Sequence, residues 1–314
     1  MVVTNLTGKG NYKLIEQFYC SKELAAGKVN NCLIILSVIN IFLSITAFLG
    51  NTMILAALRR ESSLHPPSKL LYRNLAITDL CVGVILEPLN VTYWISEVTE
   101  RWSTCRYVWV SAYVTGFILC SVSLMTITSV SVDRLLALFL GLRYRQVVTL
   151  KRTYVTVTAL WAISIVAATM YFVNSFVTSW IGNIGIILCL LTSIFSYSKS
   201  FLTLRKNQVQ PHWAHASQVQ SNQANSLNMA RYRKAVSSAL WVEVTLVVCY
   251  LPYVVAVVLT PQGELSLPYY LARQFGVTIV SLNSSLNPLL YCWKIKEVRQ
   301  AVKDTLKHIF CSFV

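Results

Sequence analysis

The sequence predicts an all-α membrane protein, a seven-transmembrane helix bundle followed by a short amphipathic eighth helix. Three observations carry that expectation. Of 314 residues, 55% are hydrophobic and only 12% charged, too apolar for an ordinary soluble domain. Seven apolar stretches each supply the roughly 20 residues that a helix needs to cross a bilayer. The Lys and Arg residues gather in alternate connections, as membrane orientation requires.

Taken in order, residues 1–28 are polar and mixed in charge, without the apolar central region of a cleavable signal peptide. They are expected to form an extracellular N-terminal segment, with the first span as the targeting signal. Asn5-Leu6-Thr7 is a glycosylation sequon there. The seven spans are read as Val29 to Leu58, Leu70 to Trp94, Tyr107 to Leu138, Tyr154 to Phe172, Ile181 to Leu204, Ala235 to Leu259 and Pro268 to Trp293, which gives a membrane domain over 29–293. Only about Asn174 to Gly182 (NSFVTSWIG) joins the fourth to the fifth. Residues 294–314 form the cytoplasmic tail. There Ile295, Val298, Val302, Leu306 and Ile309 recur at helical spacing between basic residues, which describes a helix on an anionic inner leaflet. Cys311 is either a palmitoylation site that adds a lipid anchor or an unmodified tail cysteine.

The segments Arg59 to Arg73, Arg134 to Arg152, Lys199 to Lys234 and Lys294 to Lys307 hold 20 of the 27 basic residues. The positive-inside rule then puts the N-terminus outside, the tail in the cytoplasm and the protein in the plasma membrane as a multi-pass chain. The net charge of +15 is explained by those loops, and no basic, aromatic-interleaved patch points to nucleic acid. No zinc spacing, GxSxG elbow or phosphate-cradling loop points to an enzyme. Cys20 and Cys105 are the cysteines outside the spans on the extracellular, oxidising side, where they form either a bridge or two free thiols.

Several polar residues lie at helix centres, where lipid cannot satisfy them: Asn51, Asp79, Ser123, Asn283, Ser284 and Asn287. They must satisfy one another. A buried carboxylate among hydroxyls and amides offers oxygen ligands to a small hard cation; otherwise Asp79 is a protonated residue that joins helices. The adjacent pair Asp133-Arg134 closes the third span. It is either a helix end reaching cytoplasmic water or a switch that releases the Arg to a partner. Pro252 and Pro288 each remove an intrahelical hydrogen bond, and beside the polar cluster they read as hinges.

These motifs resemble the rhodopsin-like (class A) G-protein-coupled receptors. The matching elements are Gly50-Asn51, LAITD with Asp79, Asp133-Arg134, Trp161, Tyr197, Cys249-Tyr250-Leu251-Pro252 and Asn287-Pro288-Leu289-Leu290-Tyr291, in the family's order over about residues 29–310. The resemblance implies a receptor for an extracellular ligand (peptide, lipid or small molecule) that activates a heterotrimeric G protein. Arg134, released from Asp133, would contact that G protein. Tyr197 and Tyr291 would hold the sixth helix open, and Asp79, Ser123, Asn283 and Asn287 would form an allosteric sodium pocket. No other cofactor is implied.

The chain departs from the pattern in places. Leu135 follows the Arg where Tyr is usual, Tyr250 takes the place of the toggle tryptophan, Cys189 that of the fifth-helix proline and Leu246 that of a phenylalanine. Trp109 occupies the usual disulfide position at the top of the third helix, and no cysteine lies between the fourth and fifth spans. In these respects the chain is similar to the melanocortin and cannabinoid branch. Gly116 stands where amine receptors carry an aspartate and Ser281 where opsins carry a lysine, so biogenic amine and retinal are disfavoured. Candidate ligand contacts are Glu87, Phe117, Cys120, Tyr250 and Arg273; the last meets an anionic group, pairs with Glu87 or reaches outer water. Two other readings compete: a receptor-like protein that binds without signalling, and a transporter, for which internal repeats and half-helices are missing.

Overall fold

The computed structural model describes residues 20, 27–60, 64–209, 244–258, 267–294, 299–300 and 302–304. Among the described residues seven helices make up the bundle: α1 Gly27–Arg60, α2 Pro66–Val98, α3 Trp102–Leu140, α4 Leu150–Phe172, α5 Ser175–Val209, α6 Val244–Val258 and α7 Leu267–Lys294. The first five are long and apolar enough to cross a membrane, and the described part of α6 is apolar throughout. Their large exposed side chains are themselves apolar, as with Phe42, Val155, Val166 and Phe195, because the outer surface faces lipid rather than water.

Several helices run past the apolar stretches that predict them. Hydropathy registers only the hydrocarbon depth, whereas backbone hydrogen bonding carries a helix on until something caps it. The expected loop between α4 and α5 shrinks to Val173 and Asn174 for this reason. Asn174 accepts from the backbone N–H of Phe176 at 3.0 Å and of Val177 at 3.3 Å, so α5 begins at Ser175 rather than Ile181. At the C-terminal end of α3, Gly141 takes a φ of +48°, a backbone that glycine adopts without strain, and the chain turns into the short helical stretch Tyr144–Val147.

Within α2, Val82–Leu86 forms a π-turn. Pro88 lacks an N–H and its ring would crowd the carbonyl four residues back, so the wider turn just before it relieves both demands. Ser44 on α1 donates to the Gly83 carbonyl at 2.6 Å. There α1 and α2 come so close that a Cβ on Gly83 would fall 2.9 Å from Ala47 Cβ.

α3 packs on α2, α4 and α5, and α7 lies against α1. Among the described residues three apolar clusters fill the bundle, the smallest of them Val82, Leu86 and Leu119 between α2 and α3. The inner one joins Ile54, Leu75, Ile127, Leu246 and Tyr250, and the outer one joins Cys20, Trp94, Cys105, Trp109 and Tyr270. Val302 of the tail belongs to the inner cluster, so this position of the expected amphipathic helix packs on the bundle. Cys20 and Cys105 are joined by a disulfide across 85 residues of sequence, Cα to Cα 6.0 Å, which ties Cys20 to the first turn of α3.

Candidate functional site

Asp79 is fully buried at the middle of the bundle and gathers α3 and α7 around α2. Its Oδ1 accepts from Ser123 at 3.1 Å and from Ser284 at 2.8 Å, and its Oδ2 accepts from Asn287 at 2.7 Å. Asn51 extends the cluster to α1 by donating to the Ser284 carbonyl at 3.1 Å. Asn283 is buried, but Ser284, one residue on, makes the bond to Asp79. Adjacent residues diverge by about 100° around a helix, so only one of the two can point at the carboxylate. Among the described residues the side-chain oxygens of Asn51 and Asn287 have no donor, which leaves buried acceptors in a cluster otherwise built of carboxylate and hydroxyl oxygens. That donor set suits a small hard cation.

Near the C-terminal end of α3, Asp133 and Arg134 do not pair with each other. Asp133 accepts from Ser68 at 2.8 Å and from Tyr144 at 2.7 Å, while Arg134 donates to the Tyr72 hydroxyl at 3.2 Å and lies over the Tyr72 ring. On a helix, consecutive side chains point apart, so each finds its partner on a neighbouring segment. Burial, with Asp133 adding to it, pushes the Tyr144 hydroxyl above its ordinary value, so it remains a donor at neutral pH. The His65 ring lies tilted against that of Tyr144, centroids 5.0 Å apart, and burial pushes its imidazole below the usual value. Ser68, Tyr72 and Tyr144 were not among the residues that the sequence singled out; the polar start of α2 and the Tyr in LRYR were the available signals. Tyr197 is buried on α5. Pro252 is exposed on α6, and Pro288 lies buried inside α7. The side chain of Tyr291, and Asn5 and Cys311, lie outside the described residues.

Toward the other end a cavity of about 150 Å³ opens between α2, α3, α5, α6 and α7. Phe117, Cys120, Tyr250 and Arg273 line it, as does Gly116, with Ser281 at its α7 wall. Tyr250 donates to the Cys120 carbonyl at 3.4 Å and forms part of the floor. Arg273 lies 5.8 Å over the Tyr113 ring. Glu87 is the exception among the candidates: it is fully buried outside the lining, and neither carboxyl oxygen has a hydrogen-bond partner among the described residues. The π-turn accounts for this, because its extra residue rotates everything after Leu86 by about 100° relative to a straight helix. Asn90, the first residue of a second sequon, Asn90-Val91-Thr92, which falls inside α2, is buried at the cavity wall.

α7 is tied to its neighbours from the cavity mouth to the inner cluster. Tyr270 donates to Glu97, Gln274 accepts from Trp94 at 3.1 Å, and Thr278 accepts from Asn40 at 3.1 Å. Ser284 and Asn287 follow on Asp79. Gln274 also lines the cavity, so the same helix faces cavity and carboxylate at two levels. On α4, Trp161 donates to Asn74 at 3.0 Å, and Asn74 donates to Thr126 at 2.8 Å, which locks α2, α3 and α4 together.

The family model described as "7 transmembrane receptor (rhodopsin family)" matches residues 50–183 and 173–291. Among curated relatives, Melanocortin receptor 4 of Danio rerio is 22% identical over 292 residues, covering 88% of this chain and 86% of the relative. Galanin receptor 2a of Danio rerio is 26% identical over 294 residues, covering 89% and 79%. These are receptors rather than enzymes, in accord with the sequence reading. With the family match spanning most of the bundle, the chain belongs to the rhodopsin family of seven-transmembrane receptors and is a G-protein-coupled receptor, a multi-pass protein of the plasma membrane.

Proposed function

We propose that this receptor takes its ligand from outside into the cavity walled by Phe117, Tyr250 and Arg273, and passes the change along α7 to a G protein engaged by Arg134. The N-terminus is extracellular and the tail cytoplasmic, as the distribution of basic residues requires. The observation that carries this reading is the seam on α7: Gln274 lines the cavity while Ser284 and Asn287, on the same helix, hold Asp79. A ligand that moves α7 at the cavity must strain or break those bonds, and the two arrangements then differ in free energy by what the ligand gains in one over the other.

Sodium fits the cluster beneath, where Asp79, Ser123, Ser284 and Asn287 would hold it and Asn283 stands next to the ring of donors. The ion would supply a positive charge against Asp79 and would favour the arrangement of α7 in which Ser284 and Asn287 reach that carboxylate. The relatives are named for melanocortin and galanin, and neither ligand is carried over to this chain at 22% and 26% identity. A ligand-library screen in cells that report several G-protein pathways tests the proposal. A ligand that raises one pathway in the unmutated receptor but not in Arg134→Ala, at equal surface expression, supports it; equal signalling from both would overturn it.

A further inference from the structure

On the receptor reading of the cavity, we infer that its ligand is an uncharged aromatic molecule carrying an amide, and that Asn183 of α5 holds that amide. Asn183 lines the cavity at 9% exposure. It has no hydrogen-bond partner among the described residues, yet neither its side-chain oxygen nor its nitrogen is sealed off. A donor and an acceptor therefore stand open together in the wall. Gln274 adds a donor from α7. Its Oε1 accepts from the Trp94 indole N–H, which can only donate, so Nε2 is the unspent end of that amide, and it too is unsealed. Ser281, seven residues along the same face of α7, lines the cavity with a hydroxyl.

A polar group shut away without a partner is costly, so the ligand must supply what these groups lack. An ammonium brings donors only and leaves the N–H groups of Asn183 and Gln274 without acceptors. A carboxylate brings acceptors only and leaves the Asn183 oxygen without a donor. An amide brings both, on two atoms set apart as those of Asn183 are. The charged side chain among the described lining residues, Arg273, is already engaged, with the Tyr113 ring 5.8 Å away among its contacts. Asn183 is also firmly placed. One turn before it, Ser179 lies 3.1 Å from the Tyr113 hydroxyl, which ties α5 to α3. Beside it, Gly182 leaves room for the Phe117 ring, since a Cβ there would fall 2.9 Å from Phe117 Cε2. With Trp109, Tyr250 and Tyr253 around the same space, the wall favours a flat aromatic body.

The test uses purified full-length receptor and two sets of probes, each with one body and four head groups. The first set is indole-3-acetamide, tryptophol, indole-3-acetic acid and tryptamine; the second is 3-phenylpropanamide with the matching alcohol, acid and amine. Binding is read as the shift in melting temperature across a concentration series. In at least one set the amide stabilises the receptor at lower concentration than the alcohol, the acid and the amine. Asn183→Leu weakens that binding on the order of tenfold, and Asn183→Gln restores part of it. Amides that do no better than the other head groups in both sets overturn the inference, a comparison that needs no variant; so does an amide shift that survives unchanged in Asn183→Leu. Melting reads binding alone. An amide that binds through Asn183 without promoting nucleotide exchange on any G protein would count against the signalling reading and leave the amide reading standing.

Discussion

Asn287 donates to Asp79 over 2.7 Å, and the next residue along α7 is Pro288, which interrupts the helix's own hydrogen-bond ladder. The bond that joins α7 to α2 therefore lies where α7 bends at least cost. If a cation occupies this junction, it stabilises the arrangement described here. Sodium should raise the melting temperature of the purified receptor over N-methylglucamine at equal ionic strength. At ten times its dissociation constant one such site contributes about 1.4 kcal/mol. Asp79→Asn should abolish the difference, and a melting temperature indifferent to sodium in the unmutated receptor would leave Asp79 as a structural residue.

Arg134 is held by Tyr72 rather than by Asp133. Tyr72→Phe removes the 3.2 Å hydrogen bond and keeps the ring beneath the guanidinium. A hydrogen bond to a charged group contributes about 1.5–3 kcal/mol, so basal nucleotide exchange should rise on the order of tenfold or more without ligand. Unchanged basal exchange at equal receptor density would show that Tyr72 does not restrain the Arg.

The Cys20–Cys105 bridge joins the outer cluster that includes Trp109, a residue of the cavity wall. Cys20→Ser should destabilise the receptor by on the order of 2–4 kcal/mol and weaken ligand binding, and unreduced peptide mapping should recover the linked pair from the unmutated protein. Both thiols found free in that map would contradict the bridge.

Gly50 has no room for a side chain, since a Cβ there would fall 2.9 Å from Pro288 Cγ in a rigid ring. Gly50→Val should push α1 from α7 and lower stability by about 1–3 kcal/mol, seen as reduced surface expression and an earlier thermal transition. A variant that melts with the unmutated receptor would mean that the two helices separate freely.

The bundle was legible because seven apolar stretches and the spread of Lys and Arg follow from the bilayer itself, and the Asp79 cluster because lipid leaves buried polar groups no partner but one another. What sequence could not give was angular and long-range. Ser284 rather than Asn283 faces Asp79, a choice of phase that neither residue type decides. Glu87 left the cavity wall through a π-turn that hydropathy does not register. Asp133 and Arg134 look like a pair in sequence, yet their partners Ser68, Tyr144 and Tyr72 come from segments at a distance along the chain. The start of α5 turned on one capping side chain, Asn174.

Nucleotide exchange on purified G proteins, measured with the receptor in lipid nanodiscs and a ligand found by the screen, bears most directly on the proposed coupling. Ligand should accelerate exchange on at least one heterotrimer, and Arg134→Ala should remove that acceleration while ligand binding, read by melting, persists. Acceleration of equal size in Arg134→Ala would contradict the account.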